Sequence, residues 1–206
     1  LKRIELSYDE HFNAIKDADD DDFIMLSDND EIPNLDSEDF KKNKNDIVIF
    51  NQLFFYFKFN LLYDRMLWPG TKGCRKKNLK SFSWLRNIKF KKYPIWRIDT
   101  YFSNTKYSNL NIINDGGWHF TNLKSPEDMF EKFMNFGHHD EFKLSGITVD
   151  KIRDKISKRE MFYDHFADKS SKNKWDSDYK LKKIDTDLLP RYLVSNREKY
   201  LEWFDL

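Results

Sequence analysis

The sequence predicts an α/β fold, or a mixed α+β arrangement around one sheet, and three observations carry that prediction. Short apolar runs of strand length, Phe23–Leu26 and residues 47–50, alternate early with segments of helical spacing. Helix-start patterns dominate the second half. No stretch rich in Gly, Pro or Ser divides the chain, so a single domain over residues 1–206 is expected.

The elements follow in order. Ser7 and Glu10 make a capping-box pattern, and Tyr8, Phe12 and Ile15 continue it, predicting a helix over 7–18. The acidic run 19–22 reads as a solvated turn. Phe23-Ile24-Met25-Leu26 reads as a buried strand, as does Ile47-Val48-Ile49-Phe50. Leu53, Phe55, Phe57 and Phe59 alternate, predicting a third strand, and Trp68-Pro69-Gly70-Thr71 a turn. Residues 72–92 are basic and read as a solvated face, with Phe82, Trp84 and Leu85 as the buried side of a helix; the alternative is a patch that draws in a diphosphate or an anionic acceptor. Asn114-Asp115-Gly116-Gly117 is a turn before Trp118-His119-Phe120. Ser125-Pro126-Glu127-Asp128 starts a helix with a cap, a first-turn proline and early acids. Thr148 caps another, residues 167–187 read as irregular, and Ser195 with Glu198 forms a last capping box.

Composition narrows the function. Lys+Arg is 36 and Asp+Glu 35, a net charge of +1, which argues against a general nucleic-acid binder. Aromatic residues at 17% give ample apolar surface for a core, so a disordered chain is excluded. No apolar run reaches the roughly 18 residues of a membrane span, and there is no signal-peptide pattern. The one cysteine, Cys74, excludes an internal disulfide and shows no partner that would activate it.

The most informative segment is Asp28-Asn29-Asp30-Glu31, three carboxylates in four residues directly after an apolar strand. Such acids repel unless a cation joins them. Mg²⁺ and Mn²⁺ favour oxygen ligands and are shared with phosphates. Asp28 and Asp30 are two apart, on one face of an extended segment, at the carboxyl end of a strand. An acidic loop is the plain alternative.

The segment 21–33, Asp-Asp-Phe-Ile-Met-Leu-Ser-Asp-Asn-Asp-Glu-Ile-Pro, resembles the signature of family 17 glycosyltransferases. Three further segments match in order: Trp68-Pro69-Gly70-Thr71; Gly117-Trp118-His119 with Ser125-Pro126-Glu127; and Leu189-Pro190-Arg191-Tyr192-Leu193 with Asn196. The resemblance spans nearly the whole chain. It implies a GT-A-like, Rossmann-like nucleotide-sugar fold. It also implies transfer of N-acetylglucosamine from a UDP-sugar donor to a mannose hydroxyl of a glycan acceptor, with inversion. In a GT-A fold a nucleotide-binding unit precedes the Asp-x-Asp, yet only 27 residues precede Asp28. The chain is therefore expected to be the C-terminal portion of such a domain.

That chemistry needs a metal, a base and sugar contacts. Asp28 and Asp30 are the metal candidates for Mn²⁺ or Mg²⁺, with His119 and His138 as further ligands. Asp115, beside Gly116 and Gly117 where backbone can approach a sugar, is the first candidate base. Glu31, Asp140 and Glu141 are rivals; general-base help is worth about 10²–10⁴-fold. Trp118 is the candidate for stacking on a sugar face, and Asp140 and Glu141 for substrate contacts. Two other classes stay open: a non-catalytic glycan-binding piece, and a metal-dependent nuclease or phosphotransferase using Asp28, Asp30 and Glu31.

Overall fold

The longest apolar stretch forms one strand in the computed structural model, which describes residues 11–137, 139–167, 174, 175 and 177–206. The strands are β1 (Phe23–Leu26), β2 (Glu31–Pro33), β3 (Ile47–Tyr56), β4 (Leu61–Leu62), β5 (Trp68–Arg75), β6 (Leu110–Ile113), β7 (Gly117–Thr121) and β8 (Lys182–Lys183). The α-helices are α1 (Glu38–Lys41), α2 (Phe82–Asn87), α3 (Pro126–Asn135), α4 (His139–Ser145), α5 (Val149–Ser157) and α6 (Arg191–Ser195). The architecture is mixed α/β. The chain divides into two compact units, residues 1–53 with 67–119, and residues 54–66 with 120–206.

In the first unit β5 lies between β1 and β3, antiparallel to both, and β6 runs parallel to β3. Residues 47–50 are apolar at every position because both faces of this part of β3 are covered. Ile47, Ile49, Cys74 and Leu110 pack on one face against Leu85 and Ile88, at and just beyond the end of α2. Val48, Phe50 and Ile113 pack on the other with Phe23, Met25 and Phe40 of α1. Burial pushes the Cys74 thiol up to about 12, so it is an inert core group. β2 pairs with β7, with Glu31 opposite His119 and Pro33 opposite Gly117.

Several expectations change here. The two strands read at 47–50 and 53–59 are one strand ending at Tyr56, because Asn51 and Gln52 do not break it. Gln52 is fully buried and donates to Thr71 Oγ1 at 3.3 Å, and a register shift after Ile49 absorbs the irregularity. Residues 68–71 are not a turn but the start of β5; Pro69 is tolerated beside that shift. β1 buries only Ile24, since among the described residues it pairs with β5 and lies at the sheet edge. The first helix is a short 3-10 segment, His11–Ile15, and Ser7 and Glu10 lie outside the described residues.

Gly117 carries φ +110°, and a Cβ there would meet the Ile32 carbonyl oxygen at 2.1 Å. At Gly116 a Cβ would meet the Asn51 backbone nitrogen at 2.4 Å. Both glycines let backbones close on each other: Gly116 N donates to Asn51 O and Asn34 N to Gly116 O.

The second unit is an aromatic core under short helices. Ser125 and Thr148 cap α3 and α5 as expected, accepting from Asp128 N and Lys151 N. Phe133, Phe142, Phe162 and Trp175 pack edge and face together, and Phe55 stacks on Phe120 at 5.0 Å. Phe55 of β3 also pairs with Leu62 of β4, and β4 with β8, so 167–187 is not wholly irregular. The C-terminal 3-10 segment, Arg197–Trp203, begins at Asn196 without a side-chain cap and is kinked at Tyr200. Among the described residues no helix is long and apolar enough to cross a membrane.

Two predictions follow from this packing. Gly117→Ala should cost at least about 2 kcal/mol in urea denaturation, because positive φ and backbone overlap act together. His165 meets the Tyr56 hydroxyl at 2.7 Å, and burial depresses its pKa from 6.5 to about 4. Its stabilising contribution is present above 6.5 and is lost as pH falls through about 4. His165→Phe should therefore remove about 2 kcal/mol of the stability change between pH 7 and pH 5.

Candidate functional site

The acidic segment after β1 opens onto a cleft of about 170 Å³ in the first unit, lined by Leu26, Asp28, Glu31, Trp68, Pro69, Gly70, Lys72 and Arg86. The β1–β5 register builds it. Leu26 lies opposite Lys72, and one residue further Ser27 Oγ and Thr71 Oγ1 share a 2.6 Å hydrogen bond. The chain then turns, with Glu31 N donating to Asp28 O at 3.1 Å, and enters β2. Gly70 lets the Gln52 and Glu31 side chains close on its backbone, since a Cβ there would come within 2.0 Å of Gln52 Oε1 and 3.1 Å of Glu31 Cδ.

Two cations of the basic stretch 72–92 reach the cleft. Lys72 donates to the carbonyls of Arg86 and Ile88, at 2.5 and 2.7 Å, capping the C-terminal end of α2. Burial and the Arg86 charge pull its pKa down from 10.5 to about 8. Phe82 and Leu85 bury the inner side of α2, leaving Arg86 outward. Its guanidinium grips both oxygens of Asp28, at 2.6 and 3.1 Å.

Glu31 is the enclosed acid. Its Oε1 accepts from Trp68 Nε1 at 2.9 Å and its Oε2 from Asp28 N at 3.2 Å. Burial dominates over these bonds and raises its pKa above the ordinary glutamate value. Behind it the Trp68 ring stacks on the His119 ring, 4.5 Å apart and 9° from parallel. His119 is buried, with Nδ1 3.6 Å from Asp30 Oδ1. The fold thus gathers Asp28, Asp30, Glu31 and His119 of the expected residues, and adds Trp68, Lys72 and Arg86.

The remaining expected residues take other places. Asp115 is exposed and accepts from Asn34 Nδ2 at 2.9 Å. Gly116 and Gly117 serve the backbone crossing described above. Trp118 is half-buried on β7, and by strand alternation its side chain faces away from that of His119. Asp140 and Glu141 belong to α4 of the second unit, paired with His139 and Lys174 respectively. His138 lies outside the described residues.

The donor chemistry suits a hard divalent ion, but the arrangement does not converge on one. Arg86 holds Asp28, Trp68 holds Glu31, and among the described residues no His, Cys, Asp or Glu group of three is placed to share a metal. As placed, these side chains do not fit a metal ion, and Asp28 would accept one only after Arg86 lets go.

The basic signal for Lys72 and Arg86 was in the sequence, but their convergence needed the β1–β5 register and the α2 cap. No family model matches the chain, nor does any curated protein or solved structure.

The Trp68 N–H favours the ionised form of Glu31, so Trp68→Phe should raise the Glu31 titration midpoint further. Carboxyl carbon NMR reads this directly; a midpoint that stays or falls would show that the contact does not govern Glu31.

Proposed function

We propose that the chain acts as a glycosyltransferase of family 17 type with a GT-A-like fold. It would move N-acetylglucosamine or a related sugar from a UDP-sugar to a mannose-type hydroxyl of a glycan, with inversion. The observation that carries this reading is one cleft holding an enclosed carboxylate, Glu31, beside two cations, Lys72 and Arg86.

Each group has a task in such a transfer. As the sugar–diphosphate bond breaks, negative charge grows on the departing UDP, and Arg86 and Lys72 are the groups able to meet it. Glu31 takes the proton of the acceptor hydroxyl while that oxygen bonds to the anomeric carbon on the face opposite UDP. Its raised pKa makes it a stronger base than an exposed glutamate. This geometry favours Glu31 over Asp115, which is exposed and held by Asn34. The divalent ion that the resemblance implies carries no step here.

Binding of UDP and UDP-GlcNAc to the full chain, with and without Mn²⁺, tests the proposal together with transfer to a mannose-terminated oligosaccharide. Arg86→Ala should weaken UDP binding about tenfold or more, through loss of a charge-assisted contact. Glu31→Gln should keep UDP binding and lower transfer about 10²–10⁴-fold. Absence of nucleotide binding under both metal conditions would sink the reading, and glycan binding without nucleotide binding would select the non-catalytic one.

A further inference from the structure

Residues 95–102 of the first unit present a dense apolar tip. Ile95, Trp96, Ile98, Tyr101 and Phe102 are 70–86% exposed. Among the described residues seven large apolar side chains are at least 70% exposed, and five of them fall in these eight positions. Single exposed apolar residues are ordinary, but a contiguous group marks a contact surface.

The tip is built rather than loose. Arg97 grips Asp99 through two bonds of 2.7 Å, and Lys106 joins Asp99 at 2.8 Å. Thr100 Oγ1 donates to Arg97 O at 2.7 Å, closing a 3-10 turn over Ile98–Thr100. The Tyr101 hydroxyl donates to Ile95 O at 3.0 Å. Beneath them the buried Tyr93 ring is approached by Lys91, Arg97 and Lys106, at 5.2–5.9 Å. The polar groups are thus satisfied among themselves while the apolar side chains point outward.

Charge identifies the occupant. Residues 89–106 hold Lys89, Lys91, Lys92, Arg97 and Lys106 against one acid, Asp99, a local net charge of +4 in a chain whose total is +1. Lys89, Lys91 and Lys92, just before the apolar group in the chain, are exposed, as is Phe90. Trp, Tyr and Phe with flanking lysines are the composition that settles at a lipid headgroup boundary, and anionic lipid supplies the opposite charge. A second copy meeting this tip with its own tip would bring the same positive field and be repelled.

We propose that residues 89–106 form a peripheral membrane-docking tip that inserts Trp96, Ile98 and Phe102 among the headgroups of an anionic bilayer. Lys89, Lys91 and Lys92 would lie against lipid phosphate and carboxylate groups. This rests on the exposed apolar group and the local charge, not on the reading of the cleft.

Sedimentation of the full chain with vesicles tests it, comparing phosphatidylserine and phosphatidylcholine in equal parts with phosphatidylcholine alone. The chain should pellet with the anionic vesicles, and raising salt should weaken this. Trp96→Ser with Phe102→Ser should cut binding about tenfold or more without moving the melting temperature, because both side chains are exposed. Lys89→Glu with Lys92→Glu should abolish the preference for anionic vesicles. No pelleting, or pelleting unchanged by either pair, would overturn the proposal. A self-associated form in the absence of vesicles that the Trp96/Phe102 pair disperses would overturn it too, assigning the tip to contact between copies.

Discussion

Burial of residues 47–50 on both faces is the constraint from which the first unit is built. A strand with apolar side chains pointing both ways needs cover above and below and partners on each side. Cover comes from Leu85 and Ile88 on one face and Phe40 on the other. The partners are β5 and β6, and β5 in turn holds β1. Once β1 is in register with β5, the acidic segment after Leu26 has nowhere to go but past Thr71 and Gly70.

The electrostatics of the cleft follow from that frame. Lys72 is drawn partly out of water because its ammonium satisfies carbonyls at the end of α2, and the same bonds fix where Arg86 emerges. Arg86 then neutralises Asp28, which lessens the repulsion inside the acidic segment. Glu31 is left as the acid whose burial outweighs its bonds. Groups with opposed shifts, an acid raised and a lysine lowered, sit in one small cleft; such clustering is commoner at functional sites than elsewhere.

Much of the local structure was legible in the residues. The apolar runs at Phe23–Leu26 and 47–50, the Ser125-Pro126 start and the Thr148 cap all rest on short-range patterns, and all form. Errors came where distant partners override local preference. Asn51 and Gln52 look like a break, yet they stay in the strand, where their Nδ2 and Nε2 donate to Asn114 Oδ1 and Thr71 Oγ1. Trp68-Pro69-Gly70-Thr71 has turn composition, yet it pairs across to β3. In the site, the acids Asp28, Asp30 and Glu31 stood out by their spacing, whereas Trp68 was hidden in an apparent turn and Arg86 in a charge run.

The sequence by itself determined the alternation of strand and helix signals, the placing of three acids after a strand, and a charge balance near zero. These depend on neighbours within a few residues or on a sum. Only the tertiary structure decided that Glu31 is enclosed beside Lys72 and Arg86 in one cleft, and that the apolar side chains of residues 95–102 stay exposed. It also decided that Arg86 answers Asp28 and that Trp68 answers Glu31. Those pairs join residues 58 and 37 positions apart, and strand register and a helix cap, not chain proximity, bring them together.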